Sequence, residues 1–149
     1  LANIIPPQRA GQIALTSGLT ATDGWCPVQA TTLESLRVHH VHVIGDAADA
    51  GDMSKSAHAA ASMGRNCAMA VGQLLTGKEP PAPAYENACY FLIAENHGLK
   101  VGGDYVADGE RISGIKGFSS AVGETDDARA ATALDGERWF QTFTSGLFG

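Results

Sequence analysis

Three groups of residues in this 149-residue chain have side chains that could do chemistry: the thiols of Cys26, Cys67 and Cys89, the pair Gly45-Asp46, and a histidine cluster at His39, His40 and His42. Three thiols are an odd number, so at least one is free or has a partner outside the chain. There is no CxxC, which argues against a zinc knuckle, and no CxxCH, so the chain attaches no c-type haem of its own. Cys26 precedes Pro27, which forces it out of helical geometry. A lone cysteine there is more often structural than reactive. Cys67 and Cys89 read as small buried hydrophobes. Gly45 would let backbone approach a ligand, and the Asp46 carboxylate could accept a hydrogen bond from a sugar hydroxyl. The plainer alternative is a strand-to-helix turn with Asp46 as a cap. His40 and His42 would share one strand face, but no carboxylate or thiol is spaced to complete a metal site. Asp46, Asp49 and Asp52 lack the ligand order of a calcium loop. No metal is expected. No Ser-His-Asp spacing or nucleophile elbow supports a hydrolase.

The elements that must position these residues follow from periodicity. Gln8 to Gly18 is compatible with a short helix, and Trp25 to Val28 with a short extended stretch. Val38 to Asp46 is a β-branched run that reads as a buried parallel strand. A small-residue loop, Ala47 to Asp52, leads into a long helix from about Lys55 to Leu75. Ser54 or Ser56 is its N-cap, Gly77 its stop, and Ala60, Met63, Cys67, Ala70, Val71 and Leu74 its apolar stripe. His58, at the helix start, is expected to face solvent. Pro80-Pro81-Ala82-Pro83 is a stiff linker and the expected boundary. Three strands follow, at Ala88–Ile93, Lys100–Val106 and Glu110–Ile115, with turns at His97-Gly98 and Asp108-Gly109. Asp126 to Phe143 reads as a helix, its first-turn aspartates favouring the helix dipole. Trp139, Phe140 and Phe143 supply its bulk.

Composition bounds the partners. The net charge of −6 argues against nucleic acid or an anionic membrane surface and leaves room for a basic protein partner. No apolar run approaches the ~20 residues of a membrane span. The chain opens on Leu1 with Ile4-Ile5-Pro6-Pro7 close behind, as if cut from mid-chain, so it is read as a fragment. Strand, Gly-Asp and close-packed Ala-rich helix together look like part of a dinucleotide-binding half. With no GxGxxG, the unit is incomplete.

At these residues a family resemblance emerges. Val43-Ile44-Gly45-Asp46-Ala47, followed by Met53-Ser54-Lys55-Ser56, resembles the second flavin motif of the two-dinucleotide-binding-domain flavoproteins. The closer resemblance is to the flavoprotein subunit of flavocytochrome c sulfide dehydrogenase, a relative of sulfide:quinone oxidoreductase. It rests on Asn3 to Ala10, Gly24-Trp25-Cys26-Pro27-Val28, Tyr85-Glu86-Asn87-Ala88-Cys89-Tyr90 and the terminal Trp139-Phe140 to Phe148-Gly149. The resemblance implies an α/β plus α+β chain. Residues 1–79 would be the C-terminal part of a Rossmann-like FAD-binding domain (strand, loop, long helix). Residues 80–149 would be a small three-stranded sheet plus C-terminal helix that covers the flavin and meets the cytochrome.

The same resemblance implies the chemistry. The cofactor would be FAD, contacted by Gly45, Asp46, Ala47, Met53, Ser54, Lys55 and Ser56, with Trp139 near the ring. Cys26 would be one sulfur of a redox disulfide whose other cysteine lies in the missing N-terminal part of the polypeptide. Sulfide would be the substrate, a c-type cytochrome subunit the electron acceptor, and the periplasm the location. Two positions depart from the family's pattern. Ser54 stands where Pro is usual, which removes a fixed φ from the loop, and Ala88 stands where Thr is usual. The rival readings are a non-catalytic cytochrome-binding module and a related flavoenzyme with a quinone or nicotinamide acceptor. The charged residues of 126–149 do not look membrane-seeking, which argues against the quinone version.

Overall fold

The computed structural model describes residues 2–109 and 111–148; Leu1, Glu110 and Gly149 lie outside the described residues, Glu110 being the expected first residue of the third strand. The elements are α1 (Gln12–Thr16), β1 (Cys26–Pro27), a single 3-10 turn (Gly45–Ala47), β2 (Ala48–Asp49), α2 (Ala57–Leu75), β3 (Ala84–Ala94), β4 (His97–Asp108), β5 (Arg111–Ser119) and α3 (Asp126–Phe148).

The expected strand over Val38–Asp46 is not formed. His39 and His40 make a turn, His40 at φ +62 with its N–H donating to Glu34 Oε1 at 2.7 Å. The residues that follow are tied to a neighbouring loop by isolated bonds, from Ser35 N to Val41 O and from Val43 N to Leu33 O. Ile44 is 45% exposed. A β-branched run becomes a buried strand only where a sheet supplies ladders on its edges, and here one irregular loop is the neighbour. Ala48–Asp49 instead pairs in parallel with Cys26–Pro27. Loop and helix of the expected strand–loop–helix unit are present; its strand is not.

The long helix forms because Ser56 caps it: its Oγ accepts from Ala59 N at 3.1 Å, so Ser56 and not Ser54 is the N-cap. Its buried stripe is Ala59, Ser62, Met63, Asn66 and Ala70. Leu74, expected on this stripe, is 44% exposed, since it lies two turns beyond Asn66, the residue that meets the first residue of β3.

β3, β4 and β5 form an antiparallel sheet in that order, longer than expected at both ends of each strand that can be compared. The first turn is at Glu95-Asn96, not His97-Gly98: Asn96 takes the left-handed backbone at φ +54, which Asn tolerates. Gly98 has another task, because a Cβ there would fall 2.5 Å from Ala133 N, so its absence lets α3 lie on β4. Asp108 is the last residue of β4 and pairs with Arg111, so the second turn begins at Gly109, at φ +62, one residue later than the expected Asp108-Gly109; α3 runs five residues past Phe143 to Phe148.

β3 is an edge strand, and α2 covers its outer edge. Asn66 Nδ2 donates to Ala84 O (2.9 Å), Glu86 N donates to Ser62 Oγ (3.0 Å), and Ala88 N donates to His58 Nδ1 (3.1 Å). Helix residues four apart meet strand residues two apart because the rises match, about 6 Å along the helix and about 6.6 Å along the strand. An edge that would otherwise present open N–H and C=O groups is thereby satisfied. His58 is therefore not a solvent-facing residue.

One core joins both sides of Pro80–Pro83. Val28, Leu33, Ala48, Met53 and Met63 come from before it, and Tyr85 and Ile112 from after it. Tyr85 is 1% exposed, and its hydroxyl donates to Ala30 O at 2.6 Å.

Candidate functional site

Cys26, the Gly45–Ala47 turn and Lys55 come together near the start of α2, whereas of the expected flavin contacts only Ser56 and Trp139 line the cavity between α2, β3 and α3. The β1–β2 pair places Cys26 opposite Ala48. Cys26 is fully buried with Ala10 and Ala14, and Trp25, Val43 and Ala47 pack against the same cluster. Burial pushes the Cys26 thiol above its ordinary range, and the Lys55 ammonium pulls it back down. Lys55 Nζ donates to Asp46 O at 2.7 Å and to Ala48 O at 2.9 Å, and stands 3.8 Å from the centre of a Trp25 ring. Desolvation lowers the Lys55 pKa, while the charges of Asp46 and Asp49 act the other way. Lys55 thus gathers the Gly45–Ala47 turn, β2 and Trp25 around one cation.

The other sequence candidates have distinct positions. Gly45 is left-handed at φ +69, and a Cβ on it would lie 3.4 Å from Ala60 Cβ, so this glycine also lets the turn sit close on α2. The Asp46 side chain is exposed. Met53 is buried in the main core. The exposed Ser54 accepts through Oγ from Asn87 Nδ2, and Ser56 donates to Asn87 Oδ1 while capping the helix.

Trp139 arrives at the same helix end from α3. Its ring centre is 5.3 Å from that of His58, and it stacks on Phe143 at 5.1 Å and 10°. Because His58 Nδ1 accepts from Ala88 N, the neutral ring carries its proton on Nε2, which faces Glu86 Oε1 at 3.6 Å. Glu86 also pairs with Arg65. Ser56, His58, Cys89, Tyr90 and Trp139 are among the residues lining a cavity of about 720 Å³ between α2, β3 and α3. Burial, then the charge of Asp135, raises the Tyr90 pKa.

This arrangement fits a flavin. The volume is in the range of small-molecule sites, the walls are largely apolar with an indole ring, and the N-terminal turn of α2 borders the space and favours an anionic group. The histidine run does not assemble a metal site: His40 is exposed in its turn, and His42 Nδ1 lies 2.9 Å from Thr32 O. Among the described residues no group of three His, Cys, Asp or Glu side chains could hold a metal ion, and no helix is long and apolar enough to cross a membrane. Sequence reasoning missed a role for Asn87, and it put His58 in solvent rather than in the cavity wall. For Asn87 a signal existed: it alternates with Tyr85 on the buried face of β3, and a polar side chain on an inward position requires partners.

Residues 81–148 match the family model described as flavocytochrome c sulphide dehydrogenase, flavin-binding. The match takes in the whole β3–β5 sheet, Cys89 and Trp139, while Cys26, Gly45–Ala47 and Met53–Ser56 precede it. The C-terminal part of this chain, the three-stranded sheet with α3 laid on it, is thus similar to the flavin-binding domain of flavocytochrome c sulphide dehydrogenase.

Proposed function

We propose that the chain is the C-terminal portion of an FAD-dependent sulfide dehydrogenase, which oxidises sulfide through a redox disulfide and passes electrons to a c-type cytochrome. In this reading residues 1–79 complete a Rossmann-like FAD domain and residues 80–149 cover the flavin and meet the cytochrome. The observation that carries it is the β1–β2 pairing, which seats Cys26 beside the Gly45–Ala47 turn at the same helix start that Trp139 reaches from the flavin-binding domain.

Gly45, Asp46, Ala47, Met53, Ser54, Lys55, Ser56 and Trp139 are the residues assigned to hold FAD. When bound, FAD supplies an acceptor for an electron pair that can leave one electron at a time. Cys26 supplies one sulfur of a disulfide whose other cysteine lies outside this chain. Attack by HS⁻ on one sulfur forms a persulfide there, breaks the S–S bond, and leaves the second cysteine as a thiolate. Lys55 favours negative charge at Cys26, and burial keeps water from the sulfur. The periplasm suits such a disulfide, because it persists in an oxidising compartment.

The test is anaerobic mixing of the FAD-loaded protein with sulfide. Cys26→Ser should abolish flavin bleaching by sulfide and leave bleaching by dithionite intact. Bleaching by sulfide at the wild-type rate in this variant would refute the redox role of Cys26.

A further inference from the structure

Asn87 has no role in the proposed chemistry, yet it is a buried polar side chain bonded at both ends of its amide close to the site. It is 3% exposed, on β3, on the far side of the Pro80–Pro83 segment from the Met53–Ser56 turn. Its Nδ2 donates to Ser54 Oγ, and its Oδ1 accepts from Ser56 Oγ. Ser56 Oγ accepts in turn from Ala59 N, so the hydroxyl's orientation is fixed by a donor on one side and an acceptor on the other. The two serines flank Lys55. An amide held at both ends therefore brackets the one residue whose ammonium touches the Asp46 and Ala48 carbonyls across from Cys26.

We infer that Asn87 is a positioning residue: it clamps Ser54 and Ser56 from the flavin-binding domain and so fixes Lys55 against the Gly45–Ala48 segment beside Cys26. The clamp also explains how the loop keeps its shape with Ser at position 54, since a hydrogen bond to the sheet replaces a fixed φ. Removing the Asn87 amide leaves the Ser54 hydroxyl without its donor and the Ser56 hydroxyl, still bonded to Ala59 N, without its acceptor, and frees Lys55 to turn toward solvent, where the residue is already exposed. The consequence is read at Cys26, because Lys55 is the cation acting on that thiol. The other charges facing Lys55 are Asp46, Asp49 and Asp23, and they stay in place in every variant below. The link to catalysis rests on the flavin reading; the clamp itself does not.

The test is a titration of Cys26 by its ¹³Cβ resonance in the reduced full chain. Lys55→Met should raise the Cys26 pKa by about 1 unit, the scale of losing one nearby opposite charge. Asn87→Ala should move it in the same direction by about half as much, and Ser54→Ala, which removes one arm at an exposed position, by less. His58→Ala breaks a different bond between α2 and β3; it should lower the melting temperature and leave the Cys26 titration where it was. If Lys55→Met shifts Cys26 and both Asn87→Ala and Ser54→Ala leave it unmoved, the clamp has no positioning role. The proposal is equally overturned if Lys55→Met leaves Cys26 unmoved, or if His58→Ala shifts it as far as Asn87→Ala does. Should Asn87→Ala fail to fold, Ser54→Ala decides alone. Absence of FAD from the wild-type protein would count against the flavin reading and would leave the titration result standing.

Discussion

The stretch from Ser17 to Met53 and the stretch from Ala84 to Phe148 hold their shapes by different means. The first has two paired residues in each of two strands, isolated bridges and turns. It even keeps Leu33 in left-handed backbone at φ +60, a conformation costing a leucine about 1–2 kcal/mol, offset by complete burial of its side chain. The second has continuous ladders over three long strands and a 23-residue helix packed on them. The candidate chemistry sits on the irregular stretch, at Cys26 and the Gly45–Ala47 turn. Trp139 and the β3 and α3 walls of the cavity belong to the regular one, and the start of α2 closes the cavity. The difference teaches that the thiol's surroundings borrow their rigidity: α2, Tyr85 and Asn87 transmit order from the sheet to the loops.

That dependence can be broken most severely at Tyr85. Tyr85→Ala empties the joint core and should cost about 3–5 kcal/mol in chemical denaturation. Both stretches should then unfold in a single transition at lower denaturant; two separate transitions would show that the irregular stretch stands on its own. Gly98→Ala tests the regular stretch from the inside. Its methyl group would meet the Ala133 backbone, and the required shift of α3 should cost about 1–3 kcal/mol by the same measurement. Replacing His58 by Ala removes one rung between α2 and β3 and exposes the Ala88 N–H, an expected loss of about 1–2 kcal/mol.

The smallest effect is expected at the surface. Asp52, from the irregular stretch, pairs with Arg111 and accepts from Gly114 N on β5. The Gly114 N–H, then Arg111, hold its carboxyl below the ordinary value of 3.8. A carboxylate lowered on folding contributes stability that is complete above the unfolded value and is lost as the pH falls through the folded one. The wild-type melting temperature should therefore drop more steeply below about pH 4 than that of Asp52→Asn. Parallel curves would remove this link between the two stretches.

The same contrast explains what was legible in the sequence. The sheet, α2 and α3 were readable because each carries its partners within a few tens of residues, and Gly77, Gly109 and Ser56 mark ends by local chemistry. The Val38–Asp46 run was misread because β-branching describes what a strand needs from neighbours, and the neighbours here are a loop. The turn at Glu95-Asn96 was hidden behind Gly98, whose glycine serves helix packing rather than chain reversal. Cys26, Gly45, Lys55 and Trp139 were each named from the sequence. That β1 and β2 pair, and that His58 rather than solvent meets Trp139, follow from contacts across the chain that no local pattern encodes. Asn87 and the α2–β3 bonds belong to the same class.

The central claim is that one flavin site is assembled at the start of α2 from both stretches. The most direct measurement is a crystal structure of the FAD-loaded protein. The account predicts flavin density against the Ser56–His58 turn, with Trp139 and the Gly45–Ala47 turn as neighbours. Flavin bound without contact to the first turn of α2 would contradict it.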